Sequence, residues 1–540
     1  MAGVLDVSEW VLWAARRGAL RSRACALHLF RFFLSFNRNP PSPFQWYPLF
    51  VPGDLDKAKP HAISLLGTPL AVWHDGVAWR AVADDCPHRR APLSQGRIQP
   101  AAAGAATTPA SLVCSYHGWA VNGSGRPVSI PQATHDGPAV ERAALASPRA
   151  CVKAYPTREA DGLVFVWGDP ASPALADATP TPGNPALRAL PPGAVTATTN
   201  QWFVRDFPVP HDELVGNLLS QDHVPFAHSG VASSRHSPFA AHFEVTALNA
   251  ARDAAGAVDG VSFDLEWAPD ARKLVKQRVT CVPPAYIEYL TPADDEDNTQ
   301  KTGEASGGAA GSSARRPAGL KNVLFFYATP LDATHTRVIN HAVITQPMPA
   351  AVSALLAARP RWVDHLLLNE VFDGDMAFLA TTAANTKRGD PSGAAWARTC
   401  FLPTGADAPF RAWQAWLHGP RGGGGWVRAV TGAPAPVPPP LPRREVLDRY
   451  ETHTRHCPSC MGALTGLRRA GLVARVGAAA AFLTAAAAVG GAAADGGGTL
   501  AALGAGAGPA VVSGAALALA AGLRGAEARF VYKEYEHWMS

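Results

Sequence analysis

A chain of 540 residues exceeds what one compact core organises, so two or three structural units are expected. With 48 Lys plus Arg against 43 Asp plus Glu, the formal charge is only +5, and no basic block stands out, which sets nucleic acid aside as a partner. The 8 cysteines (Cys25, Cys86, Cys114, Cys151, Cys281, Cys400, Cys457 and Cys460) are too sparse and irregular for a secreted disulfide framework, and they point to a reducing compartment.

Residues 1–43 carry Arg16, Arg17, Arg21, Arg23, Arg31 and Arg38 against Asp6 and Glu9, a pattern that fits an organelle transit segment or an amphipathic leader helix. From 44 to 170, short apolar runs at Ala62–Leu66, Pro69–Trp73, Trp79–Val82 and Gly162–Trp167, punctuated by Gly67 and His74-Asp-Gly76, predict a small all-β domain. Within it, residues 99–110 read as an expanded loop, and the Pro/Ala/Thr-rich stretch 171–199 reads as a linker. Residues 200–445 hold strand-like runs at Leu274–Cys281, Tyr286–Leu290, Val323–Ala328 and Arg337–Val343. Helical stretches lie near Leu214–Phe226 and Ala350–Ala380. Without a βαβ rhythm, this is an α+β domain on an antiparallel sheet, interrupted by a polar insertion at 293–320 expected to be disordered.

Residues 446–475 contain Cys457-Pro-Ser-Cys460, and the composition then changes abruptly. Uncharged stretches Val476–Ala494 and Thr499–Leu523, separated by Asp495 and a glycine run, predict a transmembrane hairpin over 476–523, followed by a tail at 524–540. An Ala/Gly low-complexity tail is the alternative. Arg468, Arg469 and Arg475 before the hairpin, with Arg524, Arg529 and Lys533 after it, place the rest of the chain on the positive, stroma- or cytosol-like side.

Cys86-Pro-His88 and Cys114-Ser-Tyr-His117 offer two thiolates and two imidazoles. That set holds a Rieske [2Fe–2S] cluster, two Cys on one iron and two His on the other, and neutral imidazole raises the cluster's potential. A structural zinc site uses the same ligand types. The flanking Pro87 and Gly118-Trp119 favour tight β-turns, and therefore the cluster. Downstream, His223 and His228 stand five apart, with Pro225 between them breaking any continuous helix. A mononuclear Fe(II) that takes O2 needs two His and one carboxylate with open positions. Asp375 is assigned as that carboxylate, with Asp373 as its competitor.

Gln45-Trp-Tyr-Pro48, Asp85-Cys-Pro-His-Arg-Arg-Ala-Pro-Leu-Ser94, Tyr116-His-Gly-Trp119 and Ile130-Pro-Gln-Ala133 resemble the pheophorbide a oxygenase-like family of chloroplast Rieske oxygenases, which includes chlorophyllide a oxygenase and the translocon-associated Rieske proteins. The resemblance implies a [2Fe–2S] cluster, mononuclear Fe(II) and O2, with ferredoxin as donor and a tetrapyrrole as substrate. It also implies a homotrimer in a chloroplast membrane (inner envelope or thylakoid), with the catalytic domain facing the stroma. The family pattern Glu-Asn-x-x-Asp-x-x-His reads Gly216-Asn217-x-x-Ser220-x-x-His223 here, so Ser220 stands where a bridging carboxylate is expected between the two metals. Impaired oxygenation, in a membrane electron carrier or redox sensor, is the reading that this departure keeps open. The resemblance makes Cys457 and Cys460 a redox pair addressed by thioredoxin. Inert structural thiols are the alternative, and a zinc site with His453 and His456 is a third.

Overall fold

The computed structural model describes residues 44–537 apart from 101–108, 184–187, 189–194, 196, 237–242, 253–257, 271–272, 292–321, 346–347, 391–394, 420–423 and 497. The leader (with Cys25), most of the 99–110 loop and the 293–320 insertion fall outside that set.

The N-terminal part is built of eleven short strands: β1 (Trp46–Phe50), β2 (His61–Leu65), β3 (Thr68–His74), β4 (Trp79–Ala83), β5 (Arg97–Gln99), β6 (Ser111–Val113), β7 (Ala120–Val121), β8 (Pro127–Ser129), β9 (Ala154–Tyr155), β10 (Thr157–Ala160) and β11 (Leu163–Trp167). They form three antiparallel sheets, ordered β1-β11-β10, β2-β3-β4-β9 and β5-β6-β7-β8. Two hairpins close on two-residue turns whose central residues both have positive φ, Leu66-Gly67 and Asp161-Gly162. Turns of this hand match the twist of the strands they join. β11 is fully buried along its length, as its unbroken Leu-Val-Phe-Val-Trp run requires.

The stretch after β11 is not a free tether. Residues Pro173–Ala178 form a short helix, and the carbonyls of Ala176 and Thr179 accept hydrogen bonds from Trp46 Nε1 and the Arg158 guanidinium. An aromatic N–H and a guanidinium in need of partners capture a segment whose composition alone reads as linker.

The second part rests on a seven-stranded antiparallel sheet of β12 (Ala197–Phe207), β13 (Phe243–Arg252), β14 (Val258–Asp270), β15 (Lys273–Val282), β16 (Tyr286–Thr291), β17 (Asn322–Pro330) and β18 (Thr336–Ile344), ordered β12-β18-β17-β16-β15-β14-β13. β13 and β14 are strands that the sequence reading omits, although Val261, Phe263 and Leu265 alternate with polar residues and are buried. Helices α1 (His211–Leu219), α2 (Arg361–Gly389) and α3 (Ala408–His418) accompany this sheet, and residues of all three share one apolar core with it. The parts are joined by Leu66 N–H and Gly67 N–H donating to Pro330 and Leu331 carbonyls, and by Arg361 paired with Asp54.

Helices α4 (Pro458–Ala494) and α5 (Thr499–Val531) pack as a hairpin, both long and apolar enough to cross a membrane. α4 starts well before Val476, with Pro458 in its first turn, so the Cys-x-x-Cys lies at the root of the hairpin. The helices approach closely: a Cβ on Gly506 would lie 2.5 Å from Val489 Cγ2 and 3.2 Å from the Ala485 carbonyl, and Ser513 Oγ donates to the Ala478 carbonyl at 2.9 Å. Small residues that let backbones approach are the packing device of membrane helices. Leu483, Leu500 and Val511 are exposed on its outside.

Candidate metal centres

The two Cys/His motifs form a matched pair of turns. Cys86 N–H donates to the Ala91 carbonyl at 2.9 Å and Cys114 N–H to the Trp119 carbonyl at 2.8 Å, five residues on in each case. Arg90 N–H returns to the Cys86 carbonyl and Gly118 N–H to the Cys114 carbonyl, and both closing residues have positive φ, 62° and 78°. Such turns leave the thiols inside and lift the histidines outward. Cys86 and Cys114 are buried, while His88 and His117 are half-buried with rings 4.5 Å apart. Trp119 stacks on His88 at 4.9 Å. Its indole N–H donates to Gln132 Oε1, while Gln132 Nε2 donates to the His117 carbonyl, so the segment from Ile130 braces the second turn. Asp84 braces the first by accepting from the Ser94 amide and hydroxyl at 2.7 and 2.6 Å.

These residues fit a Rieske cluster. His88 Nδ1 is a buried nitrogen with no hydrogen-bond partner among the described residues, a donor atom open to a Lewis acid. Burial, with the neighbouring Cys114 adding to it, pushes the Cys86 thiol up to about 11, so the thiolate requires a metal to stabilise it.

The second constellation is assembled from α1, the turns after it, and α2. α1 ends at Ser220 (φ −103°, ψ 82°), earlier than the Pro225 break expected from sequence. A single 3₁₀ turn then carries Gln221–His223, and Pro225 sits in the first turn of a short helix, Val224–Ala227, where its missing N–H costs nothing. The kink brings His223 Nε2 and His228 Nε2 to 3.3 and 3.4 Å from Asp375 Oδ1, with the imidazole rings 5.2 Å apart. Asp375 Oδ1 nevertheless has no partner in hydrogen-bond geometry. Three donor atoms pointing at a common space, rather than at one another, fit a facial two-His-one-carboxylate metal site. Burial alone would raise the Asp375 carboxyl, but His228 and His223 beside it outweigh burial and hold it below the usual carboxylate range. Burial lowers His228, while Asp375 overcomes burial to raise His223.

Asp373 is placed elsewhere. It is completely buried between two arginines, with Arg205 Nη1 2.8 Å from Oδ1 and Arg449 Nε 2.8 Å from Oδ2. Its charge is committed to that triad.

Three features escaped the sequence reading. Gly374 allows α2 to close on the His-bearing segment: a Cβ there would lie 2.6 Å from the Ala227 carbonyl and 3.1 Å from His228 Nδ1. The chain returns after the hairpin, where Tyr535 OH donates to the Ala227 carbonyl at 2.6 Å and His537 Nε2 lies 3.1 Å from the Gly374 carbonyl. Nothing in the composition of 524–540 signals this. Gly216 faces Phe410 of α3, which would be 2.9 Å from a Cβ, so the side chain usual in the family has no room here. Ser220 Oγ donates to Asp222 Oδ1 at 2.6 Å, and His223 Nδ1 contacts the Ser220 carbonyl. The kink at Ser220 thus unites two side chains that a regular helix would hold about 200° apart.

Cys457 and Cys460 are buried together with His453 and, unexpectedly, His365 of α2. His456 is not part of this group and contacts Arg455 Nε.

Residues 45–156 match the Rieske [2Fe-2S] domain model, and residues 282–392 match the pheophorbide a oxygenase model. The chain is 31% identical to flavonoid 8-hydroxylase 2, chloroplastic, of Ocimum basilicum, over 77% of this chain and 72% of that protein. It is 31% identical to pheophorbide a oxygenase, chloroplastic, of Oryza sativa subsp. japonica, with the same coverage. It is 28% identical to the protochlorophyllide-dependent translocon component 52, chloroplastic, of Arabidopsis thaliana, again over 77% and 72%.

Proposed function

Because this chain belongs to the pheophorbide a oxygenase family of Rieske non-heme iron oxygenases, we propose that it oxidises a chlorophyll-derived tetrapyrrole with O2 and ferredoxin-supplied electrons. The observation that carries this reading is the convergence of His223, His228 and Asp375 on one point in a chain that also holds a matched pair of Cys/His turns. Cys86, His88, Cys114 and His117 are the proposed cluster ligands, and His223, His228 and Asp375 the proposed Fe(II) ligands. When bound, the two groups supply one-electron transfer and oxygen activation. The protein's own residues position them. The half-buried His88 and His117, with Tyr116 60% exposed beside them, present the cluster edge to a second subunit, in keeping with a ring-shaped homotrimer.

The hairpin is proposed to anchor the protein in a chloroplast membrane. Its two helices are tied at the root, where Arg468 lies near Glu527 at 3.7 Å, and the outgoing end meets the body, where Arg529 and Lys533 pair with Glu370 of α2. By the positive-inside rule, these cations at the root support a stromal orientation of the catalytic body.

The test is a single turnover. Reduced protein is mixed anaerobically with pheophorbide a, chlorophyllide a or a flavone, given one pulse of O2, and its products are read by mass spectrometry. An oxygenated tetrapyrrole is expected. Oxidation of the flavone alone would overturn the substrate class, and cluster oxidation without any organic product would favour an electron carrier.

A further inference from the structure

Four side chains outside both iron centres meet in an apolar box. His365 comes from α2, ten residues before Asp375. His453 precedes the hairpin, and Cys457 and Cys460 bracket the first turn of α4. All four are at most 3% exposed, and Leu366, Leu464 and Phe530 pack around the two thiols. His453 Nε2 lies 3.2 Å from Cys460 Sγ, and His365 Nδ1 lies 3.5 Å from both Cys457 Sγ and Cys460 Sγ. A tetrahedral zinc, with Zn–S about 2.3 Å and Zn–N about 2.0–2.1 Å, has N···S edges of about 3.5 Å. The three N···S edges observed, 3.2, 3.5 and 3.5 Å, lie close to that value, and all four ligand atoms lie within 4.8 Å of one another.

The surroundings orient the ligands. His453 Nδ1 lies 2.6 Å from the Val204 carbonyl, which can only accept, so the proton sits on Nδ1 and the Nε2 lone pair faces the thiols. This is how a metal-binding imidazole is normally fixed. A cavity of about 230 Å³, lined in part by His365, His453 and Cys457, reaches the cluster from the junction with β2 and gives an ion a way in. Two imidazoles and two thiols buried in one apolar box supply a full two-Cys-two-His ligand set.

We propose that His365, His453, Cys457 and Cys460 form a third metal site, a structural zinc centre that pins the root of the hairpin to the helix carrying Asp375. The zinc ties two segments distant in sequence, the helix carrying His365 and the stretch 453–460, and it replaces the composition-based choice of His456 with His365.

Full-length protein purified under reducing, chelator-free conditions is expected to hold about one zinc per chain by mass spectrometry, with a zinc K-edge spectrum showing two sulfur and two nitrogen neighbours. The doubly substituted Cys457→Ser, Cys460→Ser protein is expected to lose that zinc while keeping the cluster's electron paramagnetic resonance signal, and His456→Ala is expected to keep the zinc. If the double variant does not fold, the wild-type spectrum still decides. Zinc at background level, zinc with only nitrogen and oxygen neighbours, a fourth iron in its place, or a Cys457–Cys460 disulfide in the isolated protein would each overturn the proposal.

Discussion

Two aspartates separated by one glycine meet different partners at the proposed mononuclear centre. Asp375 Oδ1 faces His223 and His228, whereas Asp373 neutralises Arg205 and Arg449 in a fully buried triad. Their amide variants therefore diverge. Asp375→Asn leaves the fold intact and removes the mononuclear iron, so the iron content falls from about three to about two per chain. Asp373→Asn leaves two buried guanidinium groups uncompensated and destabilises the protein by about 3–5 kcal/mol, the range for breaking a buried ion pair. Iron analysis beside thermal unfolding separates the two, and equal iron loss without destabilisation in both variants would contradict the division. Gly374 between them offers a second test. Helix propensity favours Gly374→Ala by about 1 kcal/mol. A methyl group 2.6 Å from the Ala227 carbonyl forces a shift that costs about 1–3 kcal/mol, so sterics wins. Loss of iron from an otherwise folded protein is the expected outcome, measured by metal analysis with the cluster spectrum as internal reference. The sequence made the ligand types legible because metal chemistry restricts them to few residues. It assigned Asp375 but kept Asp373 as a competitor, because two positions along a helix are separated only by what each side chain meets.

At the scale of elements, local pattern made β2, β3, β4, β11 and β15 to β18 legible, since their apolar runs are bounded by turn residues. It hid the service that the last segment performs. Tyr535 and His537 reach the catalytic helix and the histidine segment from beyond the hairpin, and Arg443 holds Glu534 and the Tyr535 carbonyl against the body. These contacts span 91 to 308 residues and leave no periodicity. Tyr535→Phe removes one buried hydrogen bond and is expected to cost about 1 kcal/mol, with the Ala227 carbonyl left unpaired. Ending the chain after Val531 removes all of these contacts, and it should lower mononuclear iron occupancy while sparing the cluster. Equilibrium dialysis against a weak Fe(II) chelator measures the difference, and identical iron retention by full-length and shortened protein would show the tail to be dispensable. The hairpin helices themselves were legible from composition. Their start at Pro458 was not, because Arg468, Arg469 and Arg475 conceal a helix that continues through them.

For the whole molecule, the path of electrons decides whether the architecture turns over. The family resemblance implies a carboxylate between a cluster histidine and an iron-binding histidine, and this chain has Ser220 there. Its hydroxyl is occupied as a donor to Asp222 and its carbonyl lies against His223 Nδ1, so the serine organises the kink and offers no anion to a neighbouring cluster. Asp222 supplies a carboxylate beside Ser220, because α1 stops there rather than continuing through it. Hydrogen-bonded partners of metal-binding histidines are worth about 10- to 100-fold in function. Ser220→Asp is accordingly expected to accelerate transfer from the reduced cluster to the mononuclear site about 10- to 100-fold, followed as cluster reoxidation after one pulse of O2. Asp222→Asn, in the opposite sense, is expected to slow it if Asp222 has taken over the bridge. Should Ser220→Asp leave single-turnover oxidation unchanged while Asp222→Asn slows it, the bridge has moved two residues along the chain. Should neither variant change the rate, the serine is no impediment and transfer between subunits proceeds without a carboxylate at this kink.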